Sequence, residues 1–149
     1  KQIFASNFRL LKNRDSLILS KILVEDEVGT YFIDKEQQEI SIPLKLTFKS
    51  VANPAFESNK IIFVDGDKLQ YPLELKRWQE GDSFQPFGMG GKSKKLSKFF
   101  KDEKLSLLEK EQCWLLWSAN TLVWITGLRQ DERFKITENT SNILKIELE

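Results

Sequence analysis

With 149 residues, 40% of them hydrophobic and including eleven Phe and four Trp, the chain can bury a real core as one medium domain or two small ones. Its 23 basic and 22 acidic residues leave a net charge of only +1, so any surface for a polyanion has to be local. It has no histidine and one cysteine, which removes the commonest general base and transition-metal ligand, a structural zinc site and an intrachain disulfide.

The opening residues, KQIFASNFRLL, lack the uninterrupted apolar region of a signal peptide, and no apolar run is long enough to cross a bilayer. A cytoplasmic protein with no membrane partner is expected. The first residue is not Met, which suggests a piece cut from a longer protein. Residues 1–74 read as a β-rich segment, with strand-like runs at 9–12, 16–24, 30–34, 39–47 and 60–64. Turn signals separate them at 13–15, 25–29, 34–38, Asn53-Pro54 and Asp65-Gly66. The alternation of Ile40, Ile42, Leu44 and Leu46 predicts one strand with one buried face. Asp65-Gly66-Asp67, between apolar runs at 61–64 and 69–75, predicts a hairpin.

From residue 75 the pattern changes to turn, helix, capped helix and hairpin. In Phe87-Gly88-Met89-Gly90-Gly91 three glycines fall close together, so the backbone can take positive φ and turn its N–H groups outward. A helix is predicted over 93–101, with Ser93 as N-cap and Leu96, Phe99 and Phe100 at the spacing of one buried face. Lys92, Lys94, Lys95, Lys98 and Lys101 take its other faces. Cations near a helix start oppose the macrodipole, and a phosphate bound there would relieve them. The alternative is an ordinary solvated lysine face. A P-loop is the sharper rival for Gly91-Lys92-Ser93, but its first glycine would have to stand at Pro86.

Ser106 and Glu109 form a capping box ahead of a short helix that includes Lys110. Residues 113–117 and 121–126 predict a hairpin across Ser118-Ala119-Asn120. Trp114, Trp117 and Trp124 lie among Leu, Val and Ile there, which favours core packing over base stacking, and Cys113 reads as a buried thiol. Gly127 ends the second strand, 129–133 reads as a charged turn, and 134–137 and 143–148 are expected to pair. Asp102-Glu103 and Asp131-Glu132 read as solvated counter-charges on surface turns, so no catalytic residue is assigned. The expected class is α+β: a β-rich first half, then a small domain over 75–148 with short helices on an antiparallel or mixed sheet.

Three stretches carry a family resemblance: residues 77–89 (RWQEGDSFQPFGM), 94–100 (KKLSKFF) and 123–135 (VWITGLRQDERFK). In combination they resemble the C-terminal domain of bacterial tRNA(Ile)-lysidine synthetase, over roughly half of the chain. Residues 1–74 match no motif of that family and would complete the sheet of the domain that follows. The resemblance implies an ATP-dependent ligase that adenylates C2 of the wobble cytidine in the CAU anticodon of tRNA(Ile). The lysine amine then displaces AMP to give lysidine, and decoding changes from AUG to AUA. ATP, Mg and lysine would bind an N-terminal domain with an SGGxDS loop, which this sequence lacks. The present chain would do no chemistry, bind no cofactor or metal, and grip the acceptor-stem side of the tRNA. The tRNA-binding candidates are Arg77, Lys92, Lys94, Lys95, Lys98, Lys110, Arg129 and Arg133. Lys110 stands where the family usually has arginine, which keeps the charge but loses the bidentate fork. A homodimer stays open, as does a different class of function, a protein-interaction or structural β module whose lysines are incidental.

Overall fold

A computed structural model describes residues 29–56 and 58–149, together with the backbone of three short strands, β1 (Phe4–Ala5), β2 (Phe8–Leu10) and β3 (Leu19–Lys21), which form an antiparallel sheet. The runs expected at 9–12 and 16–24 and the turns at 13–15 and 25–29 fall wholly or in part outside the described residues.

Most strands from residue 31 onward build two stacked antiparallel sheets, and a separate two-stranded pair lies beside the helices. β4 (Tyr31–Ile33), β8 (Leu73–Lys76), β11 (Leu115–Ser118), β12 (Thr121–Ile125) and β13 (Arg129–Gln130) form one of five strands, in the order β13-β12-β11-β8-β4. β5 (Glu39–Ile40), β6 (Leu46–Val51), β7 (Ile61–Asp65) and β14 (Ile143–Leu148) form the other, in the order β5-β6-β14-β7. Strands from before residue 74 thus pair with strands after it in both sheets. Two short helices follow the glycine loop, α1 (Leu96–Asp102) and α2 (Leu107–Glu111). The class is α+β.

In the five-stranded sheet β11 and β12 are buried on both faces. Leu73, Leu75, Leu116, Val123 and Trp124 pack against Phe48, Ile62, Val64, Leu144 and Ile146 of the other sheet. Leu115, Trp117, Leu122 and Ile125 face the opposite way, against Phe84, Leu96, Phe99 and Phe100. A strand with apolar residues at every position is what such double burial requires. The register shifts between Leu116 and Trp117, so Val123 and Trp124 both turn to the sheet–sheet core, as a β-bulge allows.

Several elements depart from the pattern in the sequence. The strand expected over 39–47 is two strands, β5 and β6, paired as a hairpin around Pro43, which has no N–H for a ladder and restricts the residue before it. Ile42 is accordingly exposed. The hairpin expected across Asp65-Gly66-Asp67 does not form: β7 pairs with β14, while β8 joins the other sheet. Asp65 caps a 3-10 turn over Gly66–Lys68 through the Asp67 N–H, and Gly66 is not in the positive-φ region that an Asp-Gly hairpin turn needs. A Cβ at residue 66 would stand 2.6 Å from Nδ2 of Asn142, so a larger residue there would displace that side chain.

Ser93 caps no helix: Lys94–Lys95 form strand β10, paired with β9 (Ser83–Phe84), and α1 starts only at Leu96, with Lys95 as an N-cap that makes no side-chain bond. The pairing of 134–137 with 143–148 fails because β14 is already bonded on both edges, by β6 and β7. Phe134 instead ends a 3-10 turn, Glu132–Phe134, and is its one buried residue. The 113–126 hairpin holds with a tighter turn than expected, Ala119 and Asn120 alone at φ 46° and 68°.

Candidate nucleic-acid interface

The two-residue strand β10 sets the direction of its lysines, because successive side chains of a strand point to opposite faces. Lys94 turns toward α1 and is half-buried, with Nζ 2.6 Å from Asp102 and 5.7 Å from the centre of the Phe99 ring. Lys95 is exposed. Lys98, one turn before Asp102 on α1, reaches the same carboxylate at 3.2 Å. Asp102 therefore clamps two of the candidate cations, and the hydrogen bonds from Lys94 and then Lys98 hold its carboxyl below the ordinary value. Lys92, Lys95 and Lys101 are exposed and have no ion-pair partner among the described residues.

Arg129 arrives from the other side of the same ring cluster. It begins β13, opposite Ile125, and its guanidinium carbon lies 5.7 Å from the centre of the Phe99 ring. Lys94 and Arg129, thirty-five residues apart, thus share one aromatic side chain, whose ring face attracts cations. Phe99 is buried between Phe84 and Phe100, so the surface position of both cations is fixed by the core.

The glycine loop is fastened beside them. The Phe87 N–H donates to the Gln130 carbonyl at 2.9 Å, the Glu132 N–H to the Gln85 carbonyl at 2.7 Å, and the Gly88 N–H to Oε1 of Glu132 at 3.1 Å. Under the loop lies Asp131, fully buried rather than solvated. Its carboxylate accepts from the backbone N–H groups of Gln85 and Arg133 and from Nε and Nη2 of Arg133, at 2.7 to 2.9 Å. Its own N–H donates to the carbonyl of Val123, the bulge residue of β12. Glu132 is no solvated counter-charge either: bonds from Lys135 and the Gly88 N–H hold its carboxyl below the ordinary value. The periodicity of 129–133 carries no sign of this burial, because the buried carboxylate lies in a run of charged residues.

The eight candidate residues thus divide. Lys94, Lys98 and Arg129 converge on Phe99 and Asp102, and Lys92 and Lys95 flank them on the segment between loop and helix. Arg133 is fixed to Asp131 by a bidentate pair, which raises its already high pKa. Arg77 leaves the end of β8 and stacks on Trp114 at 4.4 Å, and Lys110 sits in the last turn of α2. No ion pair or stacking contact among the described residues joins Arg77 or Lys110 to the Phe99 cluster.

This loop departs from the geometry of a P-loop. Pro86 occupies the place of the first glycine, and Lys92 is followed by β10 rather than by a helix N-terminus whose N–H groups could hold phosphates. Among the described residues no group of three or more Asp, Glu, Cys or His side chains could hold a metal ion. Cys113 is buried, and burial pushes its thiol up to about 12, which disfavours the thiolate. No described helix is long and apolar enough to cross a membrane.

The model of a family described as the TilS substrate C-terminal domain matches residues 73–148. The tRNA(Ile)-lysidine synthase of Parabacteroides distasonis is 42% identical over 148 residues, which cover 97% of this chain and 33% of that protein. The synthase of Bacteroides thetaiotaomicron is 34% identical over 145 residues, 97% of this chain and 32% of the other. The chain spans about a third of the length of these curated relatives. A crystal structure of a TilS C-terminal domain superposes with a TM-score of 0.66 at 19% identity, covering 80% of this chain and 96% of that one, and so shares the fold.

Proposed function

Since the chain belongs to the family of TilS substrate C-terminal domains, we propose that it is the tRNA-gripping part of a tRNA(Ile)-lysidine synthase and takes no part in the chemistry. The observation that carries this reading is the meeting of Lys94 and Arg129 at the Phe99 ring, with Lys98 joined to Lys94 through Asp102 and the unpaired Lys92, Lys95 and Lys101 beside them. A chain of net charge +1 has thereby gathered cations along α1 and the segment before it. Such a surface suits the phosphates of an RNA stem, which position a substrate without reading its bases.

In the whole ligase, ATP and lysine would be held by a part that precedes this chain, where the wobble cytidine of the CAU anticodon is adenylated and then attacked by the lysine amine. The residues described here would supply affinity for tRNA(Ile) at its acceptor-stem side. Interactions equal in ground and transition states lower KM without raising kcat.

The test is the Lys94→Ala, Lys95→Ala double variant of the full-length synthase. KM for tRNA should rise, the single-turnover rate at saturating tRNA should stay within about twofold, and the salt slope of tRNA binding should flatten by about one for each phosphate no longer neutralised. An unchanged KM with a collapsed single-turnover rate would place the lysines in catalysis and defeat the reading. A protein-docking module would bind with little dependence on salt, which the same titrations detect.

A further inference from the structure

Resting on that tRNA-binding reading, we propose that the groove between Phe87 and Phe56 is a stacking site for an unpaired nucleobase of the bound RNA, next to the cations that hold its phosphates. The groove has a volume of about 350 Å³, near the lower end of the range for small-ligand sites. Phe87 enters it from the glycine loop and Phe56 from the connection between β6 and β7, and they are 47% and 82% exposed. Phe63, Leu128 and Ile136 supply apolar lining. Two aromatic rings left this open beside a common groove offer π-faces that the protein itself does not cover.

Arg129 decides between a nucleotide and an apolar protein segment as occupant. It lines the groove, and its guanidinium also belongs to the Phe99 cluster that holds Lys94. One residue therefore connects an aromatic groove to a cationic surface, the combination that single-stranded nucleic acid requires: cations along the backbone, rings for the bases. The described lining residues include no Asp or Glu, so nothing among them repels a phosphate. Gln130, also in the lining, has its amide fixed by donation from Nε2 to the Phe63 carbonyl at 3.2 Å, which leaves Oε1 as an acceptor for a base edge. Stacking tolerates any base, so the site selects an unpaired nucleotide rather than a sequence.

The test uses two RNA hairpins with identical stems, one blunt and one carrying a short unpaired 3′ tail that contains 2-aminopurine. Each is titrated with the chain and with its Phe87→Ala and Phe56→Ala variants. Both rings are exposed, so neither substitution opens the core, and a thermal melt serves as control. The tailed RNA should bind about tenfold tighter than the blunt one and change its fluorescence on binding. Phe87→Ala should abolish both effects and leave the affinity for the blunt hairpin as it was. Equal binding of the two hairpins, with no fluorescence change, overturns the groove proposal and leaves the tRNA-binding reading standing. Failure of the chain to bind either hairpin defeats that reading and the groove with it. A change in sedimentation of the Phe87→Ala chain, with the tail preference intact, would identify a self-association face and also overturn the proposal.

Discussion

The Asp131 carboxylate accepts hydrogen bonds from two backbone N–H groups, those of Gln85 and Arg133, besides its pair with the Arg133 guanidinium. Asp131→Ala leaves both N–H groups without their acceptor under the glycine loop, and it should lower the unfolding free energy by about 3 kcal/mol in a urea titration. Arg133→Ala should cost about as much, because the fully buried carboxylate keeps its two backbone N–H donors but loses its counter-charge. With Nε and Nη2 already bonded, Arg133 should also contribute less to tRNA affinity than the exposed Lys95, a ranking that single alanine variants measure. Cys113 gives a pH signature. Burial raises its thiol from 9.0 to about 12, so the folded chain excludes the thiolate. The stability this contributes is complete below pH 9 and is lost as pH rises toward 12. Stability should therefore fall less steeply above pH 9 in Cys113→Ala than in the parent, and iodoacetamide at pH 8 should label the thiol only in the unfolded chain.

At the scale of elements, α1 has only seven residues, too few to be stable alone, and is held by Leu96, Phe99 and Phe100 against the five-stranded sheet. Phe99→Asp should abolish cooperative thermal unfolding, since a buried unpaired charge costs several kcal/mol against a typical domain stability of about 5 to 15. The clamp at the end of the same helix works in the opposite direction for binding. Asp102→Asn frees Lys94 and Lys98 and removes a negative charge from the proposed RNA surface, so tRNA should bind a few-fold tighter at low salt, with the gain fading as salt rises. No such change in either direction would show that these lysines do not face the RNA. The buried stripe Leu96, Phe99 and Phe100, the Ser106 capping box and the 113–126 hairpin were legible in the sequence because each is fixed by neighbours within a few residues. The family was legible too, from three separated stretches in combination. The partner of β7 was not, because Asp65-Gly66 satisfies a local hairpin signal while the true partner, β14, lies near the far end of the chain. The same limit hid the shared Phe99 ring and the buried Asp131, both products of tertiary packing.

Across the whole molecule the cationic surface is two layers removed from β14, yet the path between them is continuous. β14 is bonded on both edges, to β6 from Leu46 to Val51 and to β7 from Ile61 to Asp65, and Leu144 and Ile146 enter the core shared by the two sheets. On the other side of that core Val123 and Trp124 belong to β12, whose Leu122 and Ile125 pack with Phe99 under Lys94 and Arg129. Removing residues 143–149 would leave β6 and β7 without a common partner and expose Ile62, Val64 and Phe48, a loss of about 1.5 to 3 kcal/mol for each large apolar side chain. That exceeds what a domain of this size can spare. The truncated chain should show no cooperative melt and should lose tRNA binding, although every candidate tRNA-binding residue is still present in it. A full-length synthase with the same deletion should show a raised KM for tRNA together with reduced solubility. If the truncated chain melted cooperatively and bound tRNA with the affinity of the parent, α1 and the loop would have to be supported by the five-stranded sheet alone, and the dependence of the surface on the second sheet would be refuted.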